Sequence, residues 1–339
     1  MTDSQNWTLL HAQLHRTLRN RSLLPKSSRS LVAVSGGQDS LCLIRLLLDL
    51  QSKWDWELAI AHCNHRWRTD STANANYVKQ LAQTWQIPYY GVTATDIPTS
   101  EAAAREWRYL ALTEIAQKHG YACIVTGHTA SDRAETFLYN LMRGSGADGL
   151  QALTWQRELV PGIALVRPLL EIARTETAQC CQNANLKIWE DSTNEDWRYT
   201  RNRIRHELIP YLRTHFNPQV EQALVQTADL LQAEVEYLEA AASELWQQAI
   251  WKDEFDFSSD SSPRRLNRIV LRSAPLALQR RVVRQFLQAL LPTAPNFEHI
   301  EKLVALITAP NRSQTDPFPG GAIAQVEGKW IVVSSGHRD

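Results

Sequence analysis

Short apolar runs alternate with longer stretches of helical periodicity through the first half of the chain. The runs at 31–35 (LVAVS), 58–62 (LAIAH), 89–92 (YYGV) and 122–126 (ACIVT) predict buried strands, with a fifth at 163–166 (IALV). Between them the spacing predicts helices over 40–50, 71–85, 101–119 and 131–142. Strands alternating with helices in this way build βαβ units around a mainly parallel sheet. The segment LCLIRLLLDL is apolar on nearly every side, which predicts a helix covered on both faces. After about residue 217 the strands give way to a long polar helix. The tail carries Pro319-Gly320-Gly321, then AIAQV and WIVVS around Glu327-Gly328-Lys329, a predicted hairpin. The expected fold is α/β, with a doubly wound, mainly parallel sheet over 1–216 and a smaller, mostly helical domain over 217–339.

Composition leaves this picture intact. The 339 residues have room for two cores, and 44% apolar with 21% charged residues is ordinary globular usage. There is no run of 18 apolar residues and no apolar signal core near the N-terminus, so a cytoplasmic protein with no membrane span is expected. Cys42, Cys63, Cys123, Cys180 and Cys181 form no C-x-x-C pair and read as reduced, small hydrophobes. Lys+Arg 36 balance Asp+Glu 36, and a net charge of zero taken alone speaks against a nucleic-acid partner. The order of the charges reverses that. From 221 to 256 there are nine acids and one base, and from 261 to 297 there are seven arginines and no acid. The basic block, Arg264 to Arg284, is a candidate RNA-gripping surface, and a helical scaffold kept soluble by its arginines is the plainer alternative.

Candidate chemistry begins at Ser35-Gly36-Gly37-Gln38-Asp39-Ser40, between the first strand and its helix. Two adjacent glycines allow a sharp turn with inward N–H groups, and the helix adds its own free N–H groups and positive dipole end. Such a nest suits pyrophosphate. Asp39 is suited to Mg²⁺ against phosphate oxygens, and Ser35 and Ser40 can donate hydroxyl hydrogen bonds. The spacing is neither that of a Walker A loop nor that of a dinucleotide G-x-G-x-x-G turn. SGGQDS resembles the SGGxDS loop of the N-type ATP pyrophosphatases, which split ATP into AMP and pyrophosphate to activate a carbonyl oxygen.

Further blocks narrow the resemblance. In order they are His62-Cys63-Asn64-His65, Glu101-Ala102-Ala103-Ala104-Arg105-Glu106-Trp107-Arg108-Tyr109, and Gly127-His128-Thr129-Ala130-Ser131-Asp132-Arg133-Ala134-Glu135-Thr136. Arg143-Gly144-Ser145-Gly146, Arg167-Pro168-Leu169-Leu170 and Asp191-Ser192-Thr193-Asn194 follow. Over roughly 31–211 this series is similar to the tRNA(Ile)-lysidine synthetase family. One block departs: where the family usually has G-H-H-x-D-D, Thr129 and Ser131 replace the second His and the first Asp. His62, Asn64, Gly127 and His128 fall at predicted strand ends, where open α/β sheets bind ligands. Asp132 and Glu135 lie three apart on one helix face and could both meet a cation or amino group, although a Thr129–Asp132 capping box with a solvated Glu135 is equally built from these letters. Arg105 and Arg108, also three apart, could reach one anion together.

The resemblance implies an adenine nucleotide alpha hydrolase-like fold and ligation of L-lysine to C2 of the wobble cytidine in the CAU anticodon of tRNA(Ile). ATP would first adenylate the base, releasing pyrophosphate, and AMP would leave when the amine attacks. It places ATP on Ser35, Gly36, Gly37, Gln38, Asp39, Ser40, His62, Asn64 and Gly127, with Mg²⁺ on Asp39. It gives catalytic roles to Asp39, Arg105, His128 and Asp132. Substrate binding falls to Arg108, Glu135, Arg143, Asp191, Asn194, Arg201 and Arg205. A homodimer is compatible with all of this. The rival within the superfamily, a cytidine thiolase, needs paired cysteines that this chain lacks. A glutamine amidotransferase needs a glutaminase partner or an N-terminal Cys where Thr2 stands. A catalytically silent, nucleotide-gated RNA-binding protein is the alternative of a different class.

Overall fold

The computed structural model describes residues 7–189, 197–250 and 265–334. By internal contacts the chain divides into two compact units, residues 1–232 and 233–339.

The first unit opens with α1 (Leu9–Asn20), β1 (Arg29–Ala33), α2 (Gln38–Trp54), β2 (Glu57–Asn64), α3 (Ser71–Thr84), β3 (Tyr89–Thr93), α4 (Glu101–His119), β4 (Cys123–Thr126) and α5 (Ala130–Met142). It continues through α6 (Ala147–Leu150), β5 (Gln156–Val160), β6 (Ile163–Val166), α7 (Arg174–Asn183), α8 (Thr200–Arg203), a π-helical turn (Ile204–Leu208) and α9 (Ile209–His215). The sheet order is β3-β2-β1-β4-β6-β5, parallel except for β5, which pairs antiparallel with β6 at the edge. Period-two alternation divides each strand between two cores. Val32 joins α2 and α1 residues on one face, while Leu31 joins Leu112, Ile115 and Ala116 of α4 on the other. The expected doubly covered helix is α2: Leu41, Cys42, Leu43, Ile44, Leu46, Leu47 and Leu50 are fully buried. At about 1.5–3 kcal/mol for each fully buried aliphatic side chain, this helix anchors the fold.

A long helix, α10 (Val220–Ala249), follows, and its first half belongs to the first unit. Ser131 donates to Glu221 at 2.9 Å, and the fully buried Arg133 donates to Asp229 at 2.7 Å. The second unit adds β7 (Arg265–Asn267), α11 (Arg268–Arg272), α12 (Leu276–Leu290), α13 (Phe297–Leu306), β8 (Ile323–Glu327) and β9 (Trp330–Ser334). The expected hairpin is β8–β9, turning at Gly328 with φ +60°, and β7 pairs along β9 as a third strand.

Part of the basic block serves the plainer alternative, a helical scaffold. Arg280 pairs with Glu301 through two hydrogen bonds, at 2.7 and 3.0 Å. Arg281, itself buried, and Arg284 both bind Glu239 of α10, the latter at 2.9 Å. Arg268 donates to the Ala309 carbonyl at 2.5 Å. Through these contacts Arg268, Arg280, Arg281 and Arg284 hold elements of the second unit together, with Glu239 the one acid of the 221–256 block that meets them among the described pairs. Arg264 lies outside the described residues. No described helix is long and apolar enough to cross a membrane.

Candidate active site

Strand order reverses between β1 and β4, and the two loops leaving those strands meet there, as expected of an open α/β sheet. The 35–40 loop leads from β1 into α2. Gly36 has φ +89°, and a Cβ there would lie 2.1 Å from Asn74 Oδ1 of α3. Asn74 donates to the Ser35 carbonyl at 2.8 Å, clamping the turn. The Ser40 hydroxyl accepts from the Ser35 N–H at 3.1 Å and donates to the Gly37 carbonyl at 2.9 Å. Gly37 caps α2 without a side chain, leaving the helix's first N–H groups facing the turn. From β4, Gly127 packs so closely that a Cβ would lie 2.8 Å from the Asp39 carbonyl oxygen. Loop and strand end thus form one backbone-lined cradle.

Asp39 is fixed from α7. Thr177 donates its hydroxyl to Asp39 Oδ1 at 2.5 Å, Gln38 donates to Thr177 Oγ1 at 2.7 Å, and Arg174 Nε stands 3.7 Å from Asp39 Oδ2. Burial pushes the Asp39 carboxyl up and Arg174 pulls it back. No group of three or more His, Cys, Asp or Glu among the described residues could hold a metal. A single carboxylate with one oxygen lightly engaged nevertheless fits Mg²⁺, which takes one or two carboxylates and fills its shell with phosphate oxygens and water.

His62 is buried, and its Nδ1 lies 2.8 Å from the Val34 carbonyl. Burial lowers its pKa, partly offset by that bond, so the ring is neutral. Asn64 accepts from the Arg66 N–H at 2.9 Å, turning the chain out of β2. His128 lies beyond β4 with Nδ1 2.9 Å from Thr126 Oγ1. Burial drives this ring down to about 3; Asp132 opposes the shift, and Arg167, Arg105 and Arg108 reinforce it.

The departures from the family block have a local role. Asp132 Oδ2 accepts from the Thr129 N–H at 2.8 Å and from its hydroxyl at 2.9 Å, a capping box that starts α5. Glu135, however, is 2% exposed rather than solvated. Arg205 donates to it at 2.6 and 2.9 Å and reaches Asp132 Oδ1 at 3.3 Å. Burial pushes the Glu135 carboxyl up to about 7 against the pull of Arg205. Arg201 donates to Thr136 at 3.2 Å and Glu101 at 3.3 Å, on the same flank.

Arg105 and Arg108 both lie near enough to His128 to lower it, and each has its own contact. Arg105 stands 5.7 Å from the Tyr109 ring centroid, while Arg108 donates to His65 Nε2 at 3.1 Å. Arg143 ends α5, about 18 Å along the helix from its start, and donates to Tyr139 at 2.9 Å. Asp191 and Asn194 lie outside the described residues. Thr177, Arg174 and Asn74 carry no sequence signal of their own. Arg167 does: a cation in an apolar run, it is 2% exposed and donates to the Thr154 carbonyl at 2.6 Å.

Comparison with known proteins agrees with this geometry. Residues 8–212 match a PP-loop domain and 266–329 a TilS substrate binding domain. Proteins named tRNA(Ile)-lysidine synthase from Nostoc sp. and Synechocystis sp. are 67% and 53% identical, covering 98% and 96% of this chain and 98% and 97% of their own. A chloroplastic relative from Zygnema circumcarinatum is 36% identical over 89% of this chain and 81% of its own. The U34-tRNA thiolase NcsA from Methanococcus maripaludis superposes with TM-score 0.56 at 16% identity, over 66% of this chain and 78% of its own, a likeness of fold. With its cradle, its paired carboxylates and these relatives along nearly its whole length, the chain belongs to the tRNA(Ile)-lysidine synthase family.

Proposed function

We propose that this protein ligates L-lysine to C2 of the wobble cytidine of tRNA(Ile) bearing a CAU anticodon, consuming ATP in the cytoplasm. The observation that carries the reading is the 35–40 cradle, braced by Gly127 and with Asp132 near enough to Asp39 to act on its carboxyl. The cytosine O2 attacks the α-phosphorus, its bond to the bridging oxygen breaks, and pyrophosphate leaves into the N–H groups at the start of α2. Asp39 would hold Mg²⁺, which supplies charge neutralisation for the phosphates. Thr177 and Arg174 keep Asp39 in place.

In the second step the ε-amine attacks C2 and AMP leaves with the electrons of the C2–O bond. The amine must first be neutral. Glu135, its carboxyl raised to about 7, is matched to take that proton near neutral pH. Arg105, by the Tyr109 ring, is assigned to the developing negative charge. The tRNA is held by the region from residue 217, through groups other than Arg280, Arg281 and Arg284, which are committed to Glu301 and Glu239. An Asp39→Ala enzyme should lose tRNA-dependent ATP–pyrophosphate exchange, and undiminished exchange would sink the assignment.

A further inference from the structure

Asp132 and Glu135 meet a single cation, Arg205, and the oxygens available to a cation can be enumerated. Asp132 Oδ2 is taken by the N–H and hydroxyl of Thr129. What is left is Asp132 Oδ1 with both oxygens of Glu135, and Arg205 binds all three. Glu135 lies beneath at 2% exposure, while the Arg205 and Asp132 side chains are 22% and 24% exposed, so the guanidinium covers Glu135 from the open side and leaves Asp132 at the rim.

The backbone under Arg205 is irregular. Residues Ile204–Leu208 form a π-helical turn between α8 and α9. Such a turn holds one residue more than α geometry needs, and π turns recur at functional positions. Regularising it would rotate Arg205 against α9 by about 100°, one residue's worth of helix. That rotation carries the guanidinium off a carboxylate it now touches at 2.6 Å.

We infer that Arg205 is a built-in competitor of the amine substrate: its guanidinium holds the seat on Asp132 and Glu135 that the ε-ammonium of lysine takes, and rearrangement of the 204–208 turn withdraws it. The inference rests on the lysine-ligating reading above. An ammonium reaches the buried Glu135 only through the place the guanidinium now fills, so lysine binds there only in the fraction of molecules with Arg205 swung out. Apparent affinity falls by that fraction, and an open population of about one tenth weakens lysine about tenfold. The arrangement keeps a buried carboxylate compensated until substrate arrives. Withdrawal of Arg205 also removes a positive neighbour from Glu135, readying it to receive the ammonium's proton.

The test is titration of the full-length protein with L-lysine, comparing wild type, Arg205→Gln and Arg205→Lys, with thermal melting as the check on folding. Arg205→Gln is expected to tighten lysine about tenfold. Arg205→Lys, which keeps the charge and loses the fork, is expected to tighten it by a smaller factor of about threefold. If the Gln variant does not fold, the Lys variant decides alone. Equal or weaker lysine binding in the folded variants, as a merely structural pair would give, overturns the inference. Lysidine formation by the wild type, measured alongside, separates that result from failure of the functional reading, in which wild type would neither form lysidine nor bind lysine and both ideas would fall.

Discussion

Thr177 donates its hydroxyl to Asp39 Oδ1 at 2.5 Å, across 138 residues of sequence. The carboxylate assigned to the metal is therefore aimed by α7, outside its own loop. Thr177→Val removes the donor at nearly constant volume, and a hydrogen bond to a charged group is worth about 1.5–3 kcal/mol. ATP–pyrophosphate exchange is expected to fall on the order of tenfold or more, with recovery in Thr177→Ser.

Gly127 tests the cradle from the other side. In Gly127→Ala the new Cβ meets the Asp39 backbone oxygen at 2.8 Å, so one of the two loops must shift. Displacing a positioning loop by a fraction of an ångström to an ångström costs on the order of a hundredfold in rate. Exchange kinetics should show that loss while the protein still melts cooperatively.

Asp229 should act on stability. Arg133 is fully buried, and removing its carboxylate in Asp229→Ala leaves that charge uncompensated, a loss of about 3 kcal/mol or more. Urea unfolding checks it, and a loss below about 1 kcal/mol would show that solvent reaches Arg133.

The same residue sets an acid limit. Burial would raise the Asp229 carboxyl, but hydrogen bonds from Trp155 and Arg133 hold it below its ordinary 3.8. A depressed folded pKa gives stability that is present in full above the unfolded value. It is lost as pH falls through the lower folded one. Stability measured below pH 4 should therefore fall less steeply in Asp229→Asn than in the wild type.

Arg281→Ala should separate scaffold from grip in the second unit. It strips Glu239 of a buried partner, so the melting temperature should drop. The salt dependence of tRNA binding should keep its slope, since no phosphate contact is removed.

Much of the scaffold was legible. The apolar runs marked five strands, and 101–119 was bounded by Ser100, which caps Ala103 at 3.1 Å, and by Gly120 at φ +71°. β5 was missed because QRELV is a polar edge strand with no alternation to betray it. α1 was missed because its buried residues, Leu14, Thr17 and Leu18, are few among polar neighbours. In the site, the glycine loop announced itself through its place between strand and helix. The partners that aim it did not, because Thr177 and Arg174 act through tertiary contacts that leave no local pattern. At Thr129 the letters supported the capping box correctly, yet the burial of Glu135 depends on Arg205, which the sequence could not pair with it. The scaffold share of the arginine block was hidden for a related reason: charge order showed two opposite blocks but not that Glu239 and Arg281 face each other.

The account is tested most directly by incubating the protein with ATP, L-lysine and unmodified tRNA(Ile) bearing a CAU anticodon, then analysing the wobble nucleoside by mass spectrometry. It predicts lysidine at that position, formed with one AMP and one pyrophosphate, and none with Asp39→Ala. An unmodified cytidine with the wild-type protein, or lysidine formed undiminished by Asp39→Ala, would contradict it.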